Sequence, residues 1–177
     1  MPAPRARART GATATSAGAA VDEAADESAV RVLRRFRQVF NAVKTHFRQV
    51  EKLAGVGGAQ LWALSVIDSQ PGVGVGDLAA AMDIHQTTAS NLVKALVALN
   101  MVETQRSSID RRAVHLKLTA SGSHVLDSAP GPFAGVLPDA LGRLNALTLE
   151  QLDQALGILL GELQADERAA RIPLADM

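Results

Sequence analysis

One stretch of the chain decides its fold: residues 110–122, which read DRRAVHLKLTASG. It opens with an acid and two arginines, and then Val114, Leu116 and Leu118 alternate with polar residues. Such alternation is the pattern of a half-buried β-strand. Residues 102–106 (VETQR) alternate in the same way. The two segments therefore predict a small β-hairpin whose tip carries the charged triplet.

Two short helices are predicted directly before this hairpin. They span residues 77–82, with Asp77 as the expected N-cap, and residues 86–99, and only three residues join them. A linker this short forces the helices to cross at a steep angle. Helix, tight turn, helix and hairpin follow the order of a winged helix-turn-helix, a DNA-reading module whose second helix enters the major groove.

The second helix presents a polar face that suits base edges and phosphates. Its apolar positions predict a buried face of Ala89, Leu92, Val93, Leu96 and Leu99. Asn and Gln side chains can bond bidentately to adenine, and Lys can bond to guanine or phosphate. Because any exposed helix face is polar, a plain solvated surface explains this helix alone equally well. The candidate DNA contacts are Gln86, Thr87, Thr88, Ser90, Asn91 and Lys94.

The charged hairpin tip makes the DNA-binding interpretation more specific. Asp110 and Arg112, then five residues, Leu118-Thr119 and Gly122, form the pattern D-x-R-x5-L-T-x-x-G. In this pattern the chain resembles the MarR family of bacterial transcription regulators, over roughly residues 61–126. The resemblance implies that Arg112 enters the minor groove, that Asp110 orients it, and that Arg111 contacts phosphate. The alternative is a surface ion pair, worth under about 1 kcal/mol.

Two positions depart from the common pattern of that family. Asn91 stands where many members carry an arginine, which favours a preference for A·T over G·C base pairs. Asn100 stands where a glycine usually ends the recognition helix, and Asn tolerates the left-handed backbone that this position requires.

Long helices are predicted on both sides of the winged lobe. The fold class is thus mainly α with a small β-hairpin wing, flanked by long helices that the resemblance implies are dimerisation helices. Thr148, followed three residues later by Gln151, predicts the start of the last helix. The expected segments are a disordered tail (1–28), an N-terminal dimerisation helix (29–58), the DNA-binding lobe (59–120), C-terminal dimerisation helices (121–166) and a tail (167–177).

The resemblance also implies a homodimer that binds a pseudo-palindromic operator in double-stranded DNA. It further implies that the protein acts as a repressor, and that a small aromatic effector, phenolic or carboxylate, releases it from DNA. For an aromatic ring the sequence offers apolar side chains, and for a carboxylate it offers basic ones. The helical spacing of the aromatic residues favours plain core packing. A third interpretation is that no effector exists. The candidate effector contacts are Arg35, Phe40, His46, Phe47, Arg48 and Trp62.

Composition excludes several other classes of protein. The chain has no cysteine, and its four histidines (His46, His85, His115 and His124) show no spacing typical of a metal site, so neither a metal nor another cofactor is expected. We find no nucleophile elbow or phosphate-binding glycine loop of an enzyme. No apolar run reaches the roughly 18 residues that span a bilayer. We expect a cytoplasmic, nucleoid-associated bacterial protein without membrane contact.

Net charge first argues against a nucleic-acid partner, because 18 basic residues balance 18 acidic ones. By segment, however, residues 30–52 carry seven bases and one acid, whereas residues 119–177 carry three bases and eight acids. The near-neutral lobe and acidic last third leave open an alternative function, a winged-helix protein-interaction module that does not bind DNA.

Overall fold

The computed structural model describes the backbone of residues 14–106 and 114–176, and the side chains of 26–105, 114–166 and 169–175. Two compact units meet within the first helix, one ending at Phe40 and the other beginning at Asn41. The helices are α1 (Ala14–Ala54), α2 (Gly58–Ser69), α3 (Val75–Ala81), α4 (Gln86–Ala98), α5 (Ala120–Ser128), α6 (Val136–Gly142) and α7 (Ala146–Leu163). The strands are β1 (Val102–Arg106) and β2 (Val114–Leu118), and two 3₁₀ turns follow at Glu167–Arg171 and Leu174–Asp176.

The mainly helical fold with a single described hairpin confirms the predicted fold class. Strands β1 and β2 pair antiparallel, with Val102 opposite Leu118 and Arg106 opposite Val114. Residue Asn100, just after α4, has a φ of 56°, the left-handed conformation expected of it. The helix-turn-helix and its wing therefore follow the order that the sequence pattern predicted.

Helix α2 lies at the centre of the second unit. It is apolar on most of its surface, and Leu61, Leu64 and Ile67 are almost fully buried. Buried side chains from the surrounding elements pack around it, so α2 is the support on which α4 and the wing are held. The largest of these partners are Val50, Leu78, Met82, Leu96, Val102 and Leu116.

Several predicted boundaries need correction. Helix α1 begins at Ala14 rather than near residue 29, because alanine has the highest helix propensity and recurs through residues 14–25. Helix α3 begins at Val75 with Gly74 as its N-cap, so Asp77 is not a cap and lies in the first turn, where a carboxylate suits the helix dipole. Helix α7 is capped by Asn145, whose Oδ1 accepts from the Thr148 amide at 2.9 Å. The division into functional segments stays a prediction.

Candidate nucleic-acid interface

Helix α4 is held on the lobe by one face and by a tight turn. Ala89, Val93 and Leu96 are buried, Leu92 is half-buried and Leu99, predicted to be buried, is 49% exposed. The turn before α4 contains Asp83, a non-glycine residue with a φ of 49°, and the Ile84 amide donates to the Ala79 carbonyl at 3.0 Å. This turn sets the angle at which α4 leaves α3.

The opposite face of α4 is free to meet a ligand. Gln86, Thr87, Asn91 and Lys94 are exposed, while Thr88 and Ser90 are half-buried. Within the part of the chain that the structure describes, Asn91 and Lys94 make no hydrogen bond or ion pair. An unpaired amide and an unpaired ammonium on one helix face can bond to base edges and phosphates without first breaking a bond inside the protein.

The wing is fixed to the lobe along the outer edge of β2. The Leu116 amide donates to the Val73 carbonyl at 2.9 Å, and the Gly72 amide donates to the Leu116 carbonyl at 3.3 Å. The His115 ring adds a third bond, from Nδ1 to the Gly72 carbonyl at 2.6 Å. Sequence reasoning did not assign His115 this role, because alternation places it on the outer face without indicating a partner.

The charged wing tip, Asp110, Arg111 and Arg112, lies outside the described residues. Their roles therefore stay predictions. The described stem carries an ion pair between Lys117 Nζ and Glu103 Oε1 at 4.0 Å, with both side chains largely exposed. Such a surface pair contributes little to stability.

The other half of the signature, Leu118-Thr119 and Gly122, joins three elements. Thr119 Oγ1 donates to the Asn100 carbonyl at 2.7 Å and accepts from the Gly122 amide at 3.1 Å, so it caps α5 and ties it to the end of α4. A Cβ atom on Gly122 would overlap the carbonyl group of Met101. These residues hold the hairpin base against the recognition helix.

An apolar cavity of about 200 Å³ lies within the second unit, beside α1, α2 and the α3–α4 turn. Two candidate effector contacts, Phe47 and Trp62, line it. Among the described lining residues the single charged one is Asp83, and none is basic. The cavity therefore suits an uncharged ring better than a carboxylate.

The other candidate effector contacts do not line this cavity. His46 is buried, and its Nε2 lies 3.1 Å from the Pro132 carbonyl oxygen, which gives it a structural role. Arg48 is exposed on α1. In the first unit Arg35 is exposed, and Phe40, 60% exposed, stacks on Phe36 with ring centroids 6.3 Å apart.

The described residues contain no group of three His, Asp or Glu side chains placed to hold a metal ion. No helix in the same part of the chain combines the length and apolarity needed to cross a membrane.

A comparison with protein families matches residues 54–113 to the model of the MarR family. These residues run from the end of α1 to the wing, and so include the whole helix-turn-helix. The predicted resemblance to the MarR family is therefore confirmed over these residues.

A known relative agrees with this resemblance. The chain is 27% identical over 119 residues to the transcriptional repressor MprA of Escherichia coli strain K12, a match that covers 66% of the chain and 68% of MprA. The prediction that the chain is not an enzyme agrees with these matches, which are to transcription regulators.

Solved structures share the fold of this chain. A MepR-like protein complexed with pseudoligands superposes with a TM-score of 0.53 at 17% identity, over 73% of this chain and 91% of that one. The Staphylococcus aureus MepR–DNA complex superposes with a TM-score of 0.52 at 21% identity, over 72% of this chain and 93% of that one. These likenesses support the winged helix-turn-helix fold.

Proposed function

We propose that this chain is a homodimeric transcription repressor of the MarR family that binds a pseudo-palindromic operator in double-stranded DNA. The observation that carries the proposal is the outward face of α4, where Asn91 and Lys94 have no partner among the described residues. A helix of this kind enters the major groove through its N-terminal half. The repressor activity of MprA and the DNA bound to MepR support the same function.

The wing supplies the second contact with DNA in this proposal. His115 and Leu116 fix the base of the hairpin to the Gly72–Val73 loop, so the described stem of the wing is held in place on the lobe. Arg112 then enters the minor groove, Asp110 orients it, and Arg111 binds phosphate. Cytoplasmic, nucleoid-associated localisation follows from this function.

Dimerisation is supported by apolar side chains that the described chain leaves exposed. Helix α7 has no buried residue, although one of its faces is a stripe of leucines at alternating steps of three and four. This spacing is typical of a helix that packs along another helix. The stripe consists of Leu149, Leu152, Leu159 and Leu163, which are exposed, and Leu156, which is half-buried. In the first unit, Val30, Leu33, Val39 and Phe40 are also exposed on α1.

An effector would bind in the apolar cavity beside Phe47 and Trp62. Because the described lining has no basic side chain, we propose an uncharged aromatic ligand, such as a phenol, rather than a carboxylate. The cavity reaches Met82, Asp83 and Ile84, so a ligand there touches the turn that sets α4. Binding can thus shift the chain between states with different affinities for DNA.

Salt dependence distinguishes this function from a winged-helix protein-interaction module. Binding of a fluorescent duplex, carrying the promoter of the chain's own gene, is measured at increasing salt concentrations. A DNA-binding regulator releases counterions, so its affinity falls steeply between low and physiological salt. Absent or salt-independent duplex binding would favour the interaction module.

A further inference from the structure

The end of the chain folds back onto the lobe instead of extending into solvent. Residues 172–175, here named the C-terminal strap, all line the apolar cavity. Pro173 is buried and Ala175 is half-buried, while Ile172 and Leu174 are partly exposed. The Ile172 amide donates to the Ala169 carbonyl at 3.2 Å, which turns the chain toward α2. Residues 172–175 thus lie against the lobe.

The strap meets the lobe where the helices leave room for it. Gly58, the first residue of α2, has no side chain, and a Cβ atom there would overlap the Phe47 ring and lie 3.1 Å from the Ala175 Cβ. The Phe47 ring thus lies against the backbone of α2 at Gly58, and Ala175 is close to the same position. Phe47 forms one wall of the cavity and the strap forms another.

The cavity that remains is small for a ligand. Its volume is about 200 Å³, whereas pockets that bind small molecules typically measure about 300–1,000 Å³. Removing the four side chains of the strap would enlarge the space and expose Phe47 and Trp62, which share the same lining. The strap fills space that an aromatic ligand of ordinary size would need.

We propose that the C-terminal strap is a built-in competitor of the effector: it occupies part of the cavity, and an uncharged aromatic ligand must displace it to bind. This inference rests on the proposed function only in taking the cavity as the effector site. Met82, Asp83 and Ile84 of the α3–α4 turn line the same cavity as the strap. Displacement of the strap would therefore also change the surroundings of this turn. The strap therefore limits which ligands reach the recognition helix.

The test compares the full chain with a chain that ends at Arg171. The probe is N-phenyl-1-naphthylamine, an uncharged dye whose fluorescence rises in apolar surroundings. We expect the shortened chain to bind the dye at least tenfold more tightly, with one dye per chain. A synthetic peptide of residues 166–177 should restore the weaker binding. Equal affinities would overturn the proposal, as would a gain that the peptide does not reverse.

A full-length variant covers the case in which the shortened chain does not fold. Pro173→Asp places a charge in the apolar wall and should also tighten dye binding about tenfold, because the charged strap leaves the cavity. Arg171→Asp is the matched control, since Arg171 is exposed and absent from the described lining. Equal dye affinities for the two variants would overturn the proposal. These measurements contain no DNA. A failed dye test would therefore contradict the strap proposal alone, and a failed duplex-binding test would contradict the proposed function alone.

Discussion

Gly122 of α5 packs directly against the carbonyl group of Met101, the residue that precedes β1. Any side chain at this position would overlap that backbone, which is itself held by a bond from the Thr119 amide to the Met101 carbonyl at 3.0 Å. The glycine of the signature is thus explained by a close approach of two backbones. It belongs to the support of the wing and not to its charged tip.

The first prediction concerns this contact. Gly122→Ala should lower the free energy of unfolding by about 3 kcal/mol, the upper end of the usual cost of overpacking, because a backbone cannot yield as a side chain can. Urea denaturation measures the loss. Gly76→Ala is the control: it lies in helix α3 with open space around the added Cβ, and it should be neutral or slightly stabilising. Equal stability of the two variants would contradict the packing account.

The second prediction concerns the anchor of the wing. His115→Ala removes the ring donor that bonds to the Gly72 carbonyl, so the hairpin should open more often. Hydrogen–deuterium exchange of residues 114–118 should become several-fold faster. Lys117→Ala, on the same strand and exposed, should leave this exchange rate unchanged. Identical exchange in His115→Ala and the unmodified chain would show that the ring does not hold the wing.

The third prediction concerns the wing tip. Arg112→Ala should weaken operator binding at least tenfold while the dimer stays intact, because a minor-groove contact is lost. Fluorescence anisotropy measures the affinity, and sedimentation measures the oligomeric state. Arg111→Ala, which removes a phosphate contact, should weaken binding to all duplexes alike. Unchanged affinity of Arg112→Ala would contradict the role that the family resemblance implies.

The fourth prediction concerns dimerisation. Leu156→Asp places a charge in the middle of the leucine stripe of α7, so the dimer should dissociate at micromolar concentration. Gln154→Asp adds the same charge to the opposite face of the helix and should leave the dimer intact. Analytical ultracentrifugation distinguishes the two. A dimeric Leu156→Asp would place the dimer interface elsewhere.

The order of elements in the lobe could be predicted because each depends on local pattern. Alternation at Val114, Leu116 and Leu118 predicted β2, and the tight linker predicted the helix-turn-helix. Asn100 was expected to be left-handed, and it is. These features depend on residues that are close together in the chain, so they can be predicted from one sequence alone.

Helix starts and long-range contacts could not be predicted as well. Asn145 and Thr148 are both able to cap α7, and only the path of the backbone decides between them. His46 was predicted to contact an effector because nothing in the neighbouring sequence indicates its bond to Pro132, 86 residues away. The C-terminal strap likewise depends on a gap beside Gly58 that a linear pattern does not reveal.

The measurement that tests the central claim most directly is the selection of operator sequences from a random duplex library. The unmodified chain and Asn91→Ala are selected in parallel and their enriched sequences compared. We predict that the unmodified chain enriches a pseudo-palindrome with half-site centres about one helical turn apart. Asn91→Ala should lose its preference for adenine at one position in each half-site. No enrichment, or identical preferences for both proteins, would contradict the claim that α4 reads DNA bases.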